Sequence, residues 1–375
     1  MTPLRDLRLL DLSRQLPGPF CSTMLADLGM DTLVIANPTD PFGTGIPFMA
    51  RNKRSMTLNL KAGAGRELFL RLADQADVLL EGFRPGVMQR LGLDYATLAA
   101  RNPRLIYCAI SGYGQDGPYR DRVGHDVNYL GFAGVLQFIG HGDGPPVIPG
   151  VQIADIGAGA LMAVIGILSA VIARQQTGRG QFVDIAMLDG AALWNVYPLL
   201  LHQLGQGPQR GRTQLTGHHA CYAVYETRDG RYVTVGAYEP HFWATLCHSL
   251  GHPEFVDRQW AEGPERERML ETFRAAFRTR TQAEWLAELG EKDICFGPVN
   301  DIEQMLADPQ LRHRGMIVEQ PGGPPTLGNP VKLSDTPAAL RTPPPLFGQH
   351  TEEVLGQLGL DATAIDRLRA AGVIG

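Results

Sequence analysis

The sequence predicts an α/β protein in two parts, a large domain on a mostly parallel sheet followed by a smaller α+β domain. Three observations carry this. The 375 residues exceed the usual size of one domain. From Leu7 to about Gly190, apolar strand-like runs alternate with helical stretches, the rhythm of βαβ units. At Cys221 the texture changes to a hairpin followed by helices.

Taken in order, Arg8 to Leu12 reads as the first strand. A helix from Pro19 to Leu28 follows, because Pro17-Gly18-Pro19 stops a strand and proline loses no hydrogen bond in a first helical turn. Asp31 to Ile35, Asp77 to Leu80 and Leu105 to Ile110 supply further strands. The turn after the first strand then falls at the carboxyl edge of the sheet, where open α/β folds bind ligands. The most apolar stretch, Ala160 to Ala173, is 14 residues long. That is short of the roughly 18 to 20 that cross a bilayer, so a buried helix is expected and no membrane partner.

Residues 191–220 read as a long helix and a Gly/Arg/Thr-rich connector. Tyr222 to Tyr225 and Tyr232 to Val235 then form a hairpin around Asp229-Gly230, whose glycine supplies the positive φ of the turn. Helices are expected from Glu265 to Phe277 and from Gln282 to Leu289. The Pro/Gly-rich 321–348 reads as an extended return linker, closed by a helix from Thr351 to Leu358 that its threonine can cap. The expected division is a large domain over 1–190, a linker over 191–220, a small domain over 221–320 and a returning segment over 321–375.

Composition narrows the function. Thirty-four Lys and Arg against 39 Asp and Glu give a net charge of −5, with no basic stripe, so no nucleic acid partner is expected. The five cysteines, Cys21, Cys108, Cys221, Cys247 and Cys295, are scattered without a CxxC pair, against a zinc site or a disulfide framework. That usage suits a reducing cytoplasm, and the first residues run into a strand without an apolar signal core.

Three residues stand out as candidates for chemistry. His125, in Gly124-His125-Asp126-Val127-Asn128-Tyr129, precedes a helical stretch, and a helix N-terminus lowers imidazole basicity and offers N–H groups to an oxyanion. The plainer alternative is a surface histidine. Asp155 enters the apolar helix, either as its N-cap or as a carboxyl whose apolar surroundings raise its proton affinity, with Gly157, Ala158 and Gly159 letting a ligand approach. Glu239 sits between a strand and a helix among apolar and aromatic residues, where an unpaired carboxylate is costly and a partner such as a histidine is expected. Other signals are weak. Gly251 and Pro253 break the helix that would align His248 with His252 as metal ligands, and His218-His219 reads as connector. Gly157-x-Gly159 meets Met162 where a dinucleotide loop needs glycine, Gly43-Thr44-Gly45 lacks a phosphate-loop lysine, and no Gly-x-Ser-x-Gly elbow is present.

Together with several further runs, these residues give the chain a resemblance to the class III CoA-transferase family, the CaiB/BaiF group, and within it to the α-methylacyl-CoA racemases. The runs are Pro17-Gly18-Pro19 with Leu25 to Gly29, Asp77 to Val87, Ser111 to Pro118, Gly178 to Gln181 leading to Asp184, and Gly348 to Leu355. The resemblance implies a Rossmann-like large domain and an interlocked homodimer with its active site between the large domain of one subunit and the small domain of the other. It also implies that Asp155 is the catalytic aspartate, the acyl-accepting nucleophile in the transferases. The transferases cover that aspartate with a glycine-run loop, whereas residues 212–220 here hold one glycine, Gly217. The chain has instead the racemases' Gly-His-Asp-x-Asn-Tyr at 124–129 and Glu239-Pro240.

The resemblance thus implies racemisation of a 2-methylacyl-CoA by proton transfer, with His125 and Asp155 as the two bases and Glu239 orienting His125. No separate cofactor is required, since CoA is part of the substrate. Its implied contacts are Leu58, Asn59, Leu60, Lys61, Gly82, Phe83, Arg84, Arg90, Gly124, Asp126, Val127, Asn128 and Tyr129. Asn37 stands where the family usually has an arginine to the nucleotide, and Arg51, Lys53 and Arg54 are the nearby cations that could compensate. The alternatives are acyl transfer through Asp155 and non-catalytic binding of an acyl thioester. The acyl group stays open, because Tyr129, Phe132, Tyr238, Phe242 and Trp243 fit an acyl pocket or a core equally well.

Overall fold

A computed structural model describes residues 1–40, 49–320 and 323–375. The stretch Gly43 to Gly45 and the first two residues of the expected linker lie outside them. The chain divides into two compact units, one comprising 1–136, 148–195 and 313–375, the other 137–147 and 196–312.

The first unit opens with β1 (Arg8–Asp11), α1 (Pro17–Asp27), β2 (Asp31–Ala36), β3 (Lys53–Thr57), α2 (Gly63–Ala73) and β4 (Val78–Glu81). It continues with α3 (Val87–Leu91), α4 (Tyr95–Arg101), β5 (Ile106–Ser111) and α5 (Asp126–Phe132). A π-helical segment, Ile153–Ala160, runs into α6 (Leu161–Thr177) and is followed by β6 (Phe182–Ala186) and α7 (Met187–Ala192). All six strands pair in parallel in the order β3-β2-β1-β4-β5-β6. The strand order therefore reverses between β1 and β4, and the loops after these two strands diverge there, the crevice in which such sheets receive ligands.

β1, β2, β4 and β5 are buried almost throughout, as strands covered on both faces must be. β3 and β6, at the edges, escaped the sequence reading because Lys-Arg-Ser-Met-Thr and Phe-Val-Asp-Ile-Ala hold no long apolar run. Helix α1 starts at Pro17, two residues earlier than expected, since both prolines fit a first turn whose amides need no intrahelical partner. Gly18 is required there: a Cβ would fall 2.1 Å from the Ser13 side chain.

The apolar helix departs further from expectation. The π segment and α6 form one helix of 25 residues, long and apolar enough by length and composition to cross a membrane, and less than half of its most apolar part is buried. Ala163, Val164, Ile167 and Ala170 are buried, and Arg174 fixes the far end through Asp77 and the Arg104 carbonyl. Ile165 and Ile172 are exposed by 56% and 60%. The sequence reading stopped at the unbroken apolar run and so missed both the added turns and the bare side.

The second unit carries α8 (Val196–Gln203), an antiparallel sheet of β7 (Tyr222–Glu226), β8 (Tyr232–Gly236) and β9 (Phe296–Pro298), and the helices α9 (Pro240–Ser249), α10 (Gly263–Phe277) and α11 (Gln282–Leu289). Its core gathers Tyr225, Val233, Trp243, Phe273, Phe277 and Trp285. Short helices α12 (Ile302–Ala307) and α13 (Pro309–His313) follow.

The rest of the chain is not simply extended, because β10 (Ile317–Gln320) and β11 (Gly323–Leu327) pair as a hairpin in the first unit. In α14 (Thr351–Gln357) the N-cap is His350, not the threonine. The Thr351 hydroxyl instead donates to the Gly348 carbonyl and accepts the Thr57 N–H. That ties the segment to β3, and with α15 (Ala362–Ala370) it places Val354, Leu355, Ile365, Val373 and Ile374 in the core beneath the sheet.

Candidate active site

His125 is the N-cap of α5, extended at φ −127° and ψ 176°, and its N–H donates to Asn128 Oδ1 at 3.0 Å. Its side chain is exposed. The tyrosine behind it shapes this turn: the Tyr129 hydroxyl donates to the Gly124 carbonyl, and a Cβ on Gly124 would come within 2.8 Å of the Tyr129 ring. Tyr129 is itself 5% exposed and turned inward against Tyr113.

Asp155 is the third residue of the π segment, whose N-cap is Gln152, so Asp155 does not cap the helix. That work is done from outside: Asp126 Oδ1 accepts the N–H of Ala154 at 2.7 Å and of Asp155 at 3.0 Å. The half-buried Asp155 carboxyl has its pKa raised to about 6, first by burial and then by the Asp126 charge, against a lowering by His125. A carboxyl so placed can both take and give a proton near neutral pH. His125, Asp126 and Asp155 are thus brought together by the adjoining starts of two helical segments.

The small residues after Asp155 have a packing role, contrary to the expectation that they admit a ligand. A Cβ on Gly157 would come 2.8 Å from the Trp194 ring, one on Gly159 3.0 Å from Met187, and one on Gly190 2.5 Å from the Ala158 carbonyl. They let α7 and the residues after it lie against the π segment.

Glu239 is carried by the second unit, as N-cap of α9 with Pro240 in the first turn, and it is exposed. The desolvation penalty expected for it therefore does not arise. Its aromatic neighbour Trp243 is fully buried in the core, and Gln259 fixes the strand-to-helix bend by donating to the Ala237 and Tyr238 carbonyls. Of the residues read as acyl pocket or core, Tyr129 and Trp243 are core, while Phe132 and Tyr238 are exposed by 49% and 38%.

At the carboxyl edge of the parallel sheet, a cavity of about 400 Å³ is lined by Leu58, Leu60, Lys61, Phe83 and Arg90, together with Leu12, Arg14, Ile35, Asn37, Val87 and Leu91. Asn59 stands beside it, accepting the Lys61 N–H, whereas Gly82 and Arg84 are exposed and do not line it. The three cations named as substitutes for the missing arginine are engaged elsewhere. Arg51 grips buried Asp27, Lys53 donates to Ser22 and the Pro19 carbonyl, and Arg54 pairs with Asp31 and Glu353. Arg14, two residues past the buried Leu12, is the cation that sequence reasoning missed, and its place in the turn after the first strand, at the carboxyl edge of the sheet, was the signal for it. It pairs with Asp40 at 3.0 Å and lies 5.9 Å from the Phe83 ring.

Glu81, at the end of β4, was also missed. It is 4% exposed and accepts the Phe83 N–H at 2.6 Å, and burial raises its pKa to about 7. Since its folded pKa lies above the unfolded one, the folded protein binds the extra proton between about pH 4.5 and 7, and stability falls as pH rises through that window. Glu81→Gln, which mimics the protonated acid, is expected to gain roughly 2 kcal/mol over wild type between pH 5 and pH 8. Urea unfolding at the two pH values measures it, and parallel pH dependence in both proteins would contradict it.

In the second unit His218, His219 and Glu262 gather within 4.8 Å of one another, so the histidine pair is not bare connector. The guanidinium of Arg266 lies directly on His218 and supplies a positive charge there.

The chain matches the model of CoA-transferase family III over residues 4–351. It is 37% identical to an alpha-methylacyl-CoA racemase of Mus musculus, over 99% of this chain and 97% of that protein. It is 36% identical to an acyl-CoA transferase of Fusarium pseudograminearum, over 99% of this chain and 88% of that protein. A crystal structure of a CAIB/BAIF family protein from Brucella suis superposes with a TM-score of 0.83 at 32% identity, covering 95% of this chain and 99% of that one.

Proposed function

The chain belongs to CoA-transferase family III, and from that premise we propose that it racemises 2-methylacyl-CoA thioesters by moving the α-proton between His125 and Asp155. The family acts on CoA thioesters, and its members include racemases as well as transferases. The observation that carries the reading is the meeting of His125 with a half-buried Asp155 whose pKa is raised to about 6. Residues 212–220, with Gly217 as their one glycine, support the same choice.

An α-hydrogen next to a thioester is weakly acidic, so a base is needed on each face and the enolate oxygen needs donors. In one direction ionised Asp155 takes the proton and protonated His125 delivers another to the opposite face; the reverse direction exchanges the roles. The first amides of α5, at Asp126 and Val127, lack intrahelical acceptors and would hold the enolate oxygen. CoA would enter the cavity at the sheet edge, with Arg14, Lys61 and Arg90 meeting its phosphates. A second copy of the chain would cover the bare side of the 25-residue helix and bring its Glu239 to orient His125.

The transferase relative keeps one other reading open, in which the Asp155 carboxylate attacks the thioester carbonyl, the C–S bond breaks to release the CoA thiolate, and an acyl-aspartyl anhydride forms. Incubating a single enantiomer of a 2-methylacyl-CoA in D2O separates the two. Racemisation with deuterium at the α-carbon is expected; transfer of the acyl group to an added acid, without deuteration and with a hydroxylamine-trapped Asp155, would replace the proposal.

A further inference from the structure

The Asp126 carboxylate lies at the junction of the two elements that carry the reacting side chains. It opens α5, one residue past His125, and reaches 28 residues along the chain to accept the Ala154 N–H and then that of Asp155. First-turn amides of a helix have no partner within it, and a carboxylate accepting two of them makes strong charge-assisted bonds. The need is acute here because Gln152, at the N-cap, makes no side-chain cap bond. Helical turns of the π kind are uncommon and sit often at functional sites.

Resting on the proton-transfer reading, we propose that Asp126 is a positioning residue, whose carboxylate fixes the first turn of the π segment and thereby holds Asp155 beside His125. This role belongs to its side chain, whereas the substrate contact ascribed to it above needs only its N–H.

Two consequences separate. As an acceptor Asp126 fixes where Asp155 stands, and as a neighbouring negative charge it makes Asp155 harder to ionise. Among the described residues the charges acting on Asp155 are those of Asp126 and His125, and the elements packed on its segment carry few other titratable groups. His125, Asp126 and Tyr129 come from α5 and its cap. Packed on the same segment, α1 carries Cys21 and the Arg51-bound Asp27, α6 carries Arg174 at its far end, paired with Asp77, and α7 carries Asp189, which lies toward Asp184. β5 adds Tyr107 and Cys108, and β6 adds Asp184. Asp126 is the one whose charge most raises the proton affinity of Asp155.

Asp126→Asn keeps an acceptor oxygen and removes the charge; Asp126→Ala removes both. Labelling with a water-soluble carbodiimide, read at Asp155 by peptide mass spectrometry against pH, reports the protonated carboxyl in the resting protein. The labelling midpoint is expected to fall by about one pH unit in Asp126→Asn, with amide exchange over 153–160 close to wild type. Asp126→Ala is expected to speed that amide exchange and to lower kcat for racemisation about 100-fold, with KM changed less than about threefold. Wild-type labelling and amide exchange in both variants would overturn the inference, even in an enzyme that racemises normally. If wild type shows no α-deuteration, the racemase reading fails by itself, and the labelling midpoint still decides whether Asp126 governs Asp155.

Discussion

Asp155→Asn is expected to lower racemisation about 10³-fold in both directions while leaving α-hydrogen exchange in one enantiomer, the one whose proton faces His125. That loss corresponds to about 4 kcal/mol of transition-state stabilisation, the range of a positioned acid or base. An asparagine has the size of the aspartate and cannot carry the proton, so exchange at one face survives while inversion, which needs both faces, does not. The wild-type pH profile carries a signature common to both directions. With the Asp155 carboxyl pKa raised to about 6, the pair gains below about pH 6 a proton that it must be without, so kcat/KM falls alike for the two enantiomers, as the pH-independent equilibrium between them requires. Following each enantiomer separately by chiral chromatography, with α-deuteration by mass spectrometry, checks both statements. Equal exchange of the two enantiomers by Asp155→Asn would contradict the assignment of opposite faces.

His125→Asn is expected to mirror this result, with racemisation down about 10³-fold and exchange kept only in the enantiomer that failed to exchange in Asp155→Asn. The crossed pattern matters more than either loss alone, since any damaging substitution lowers a rate while only opposed bases divide the enantiomers between them. Because His125 is an exposed cap whose backbone N–H bonds to Asn128, its replacement leaves the buried structure untouched, and thermal unfolding should be close to wild type. Acyl transfer through Asp155 has no use for an imidazole base at this place. A His125→Asn protein that transfers acyl groups at the wild-type rate would therefore move the function from racemase to transferase.

The sequence by itself determined the parts that local chemistry dictates. Apolar runs long enough to be buried on both faces marked β1, β2, β4 and β5, and Asp229-Gly230 marked the hairpin of the second unit. The placing of His125 before a helix followed from residues adjacent in the chain. The tertiary structure decided what depends on neighbours far along it. Edge strands such as β6 need only one apolar face, and the fate of Lys53 and Arg54 rests on Ser22 and Asp31, which no local pattern reveals. The glycines after Asp155 looked like room for a ligand until Trp194 and Met187 were seen to fill it. Asp155 looked like a cap until an aspartate 29 residues earlier proved to be capping it. Desolvation and charge proximity are properties of a folded neighbourhood, so the residue was legible in the sequence and its proton affinity was not.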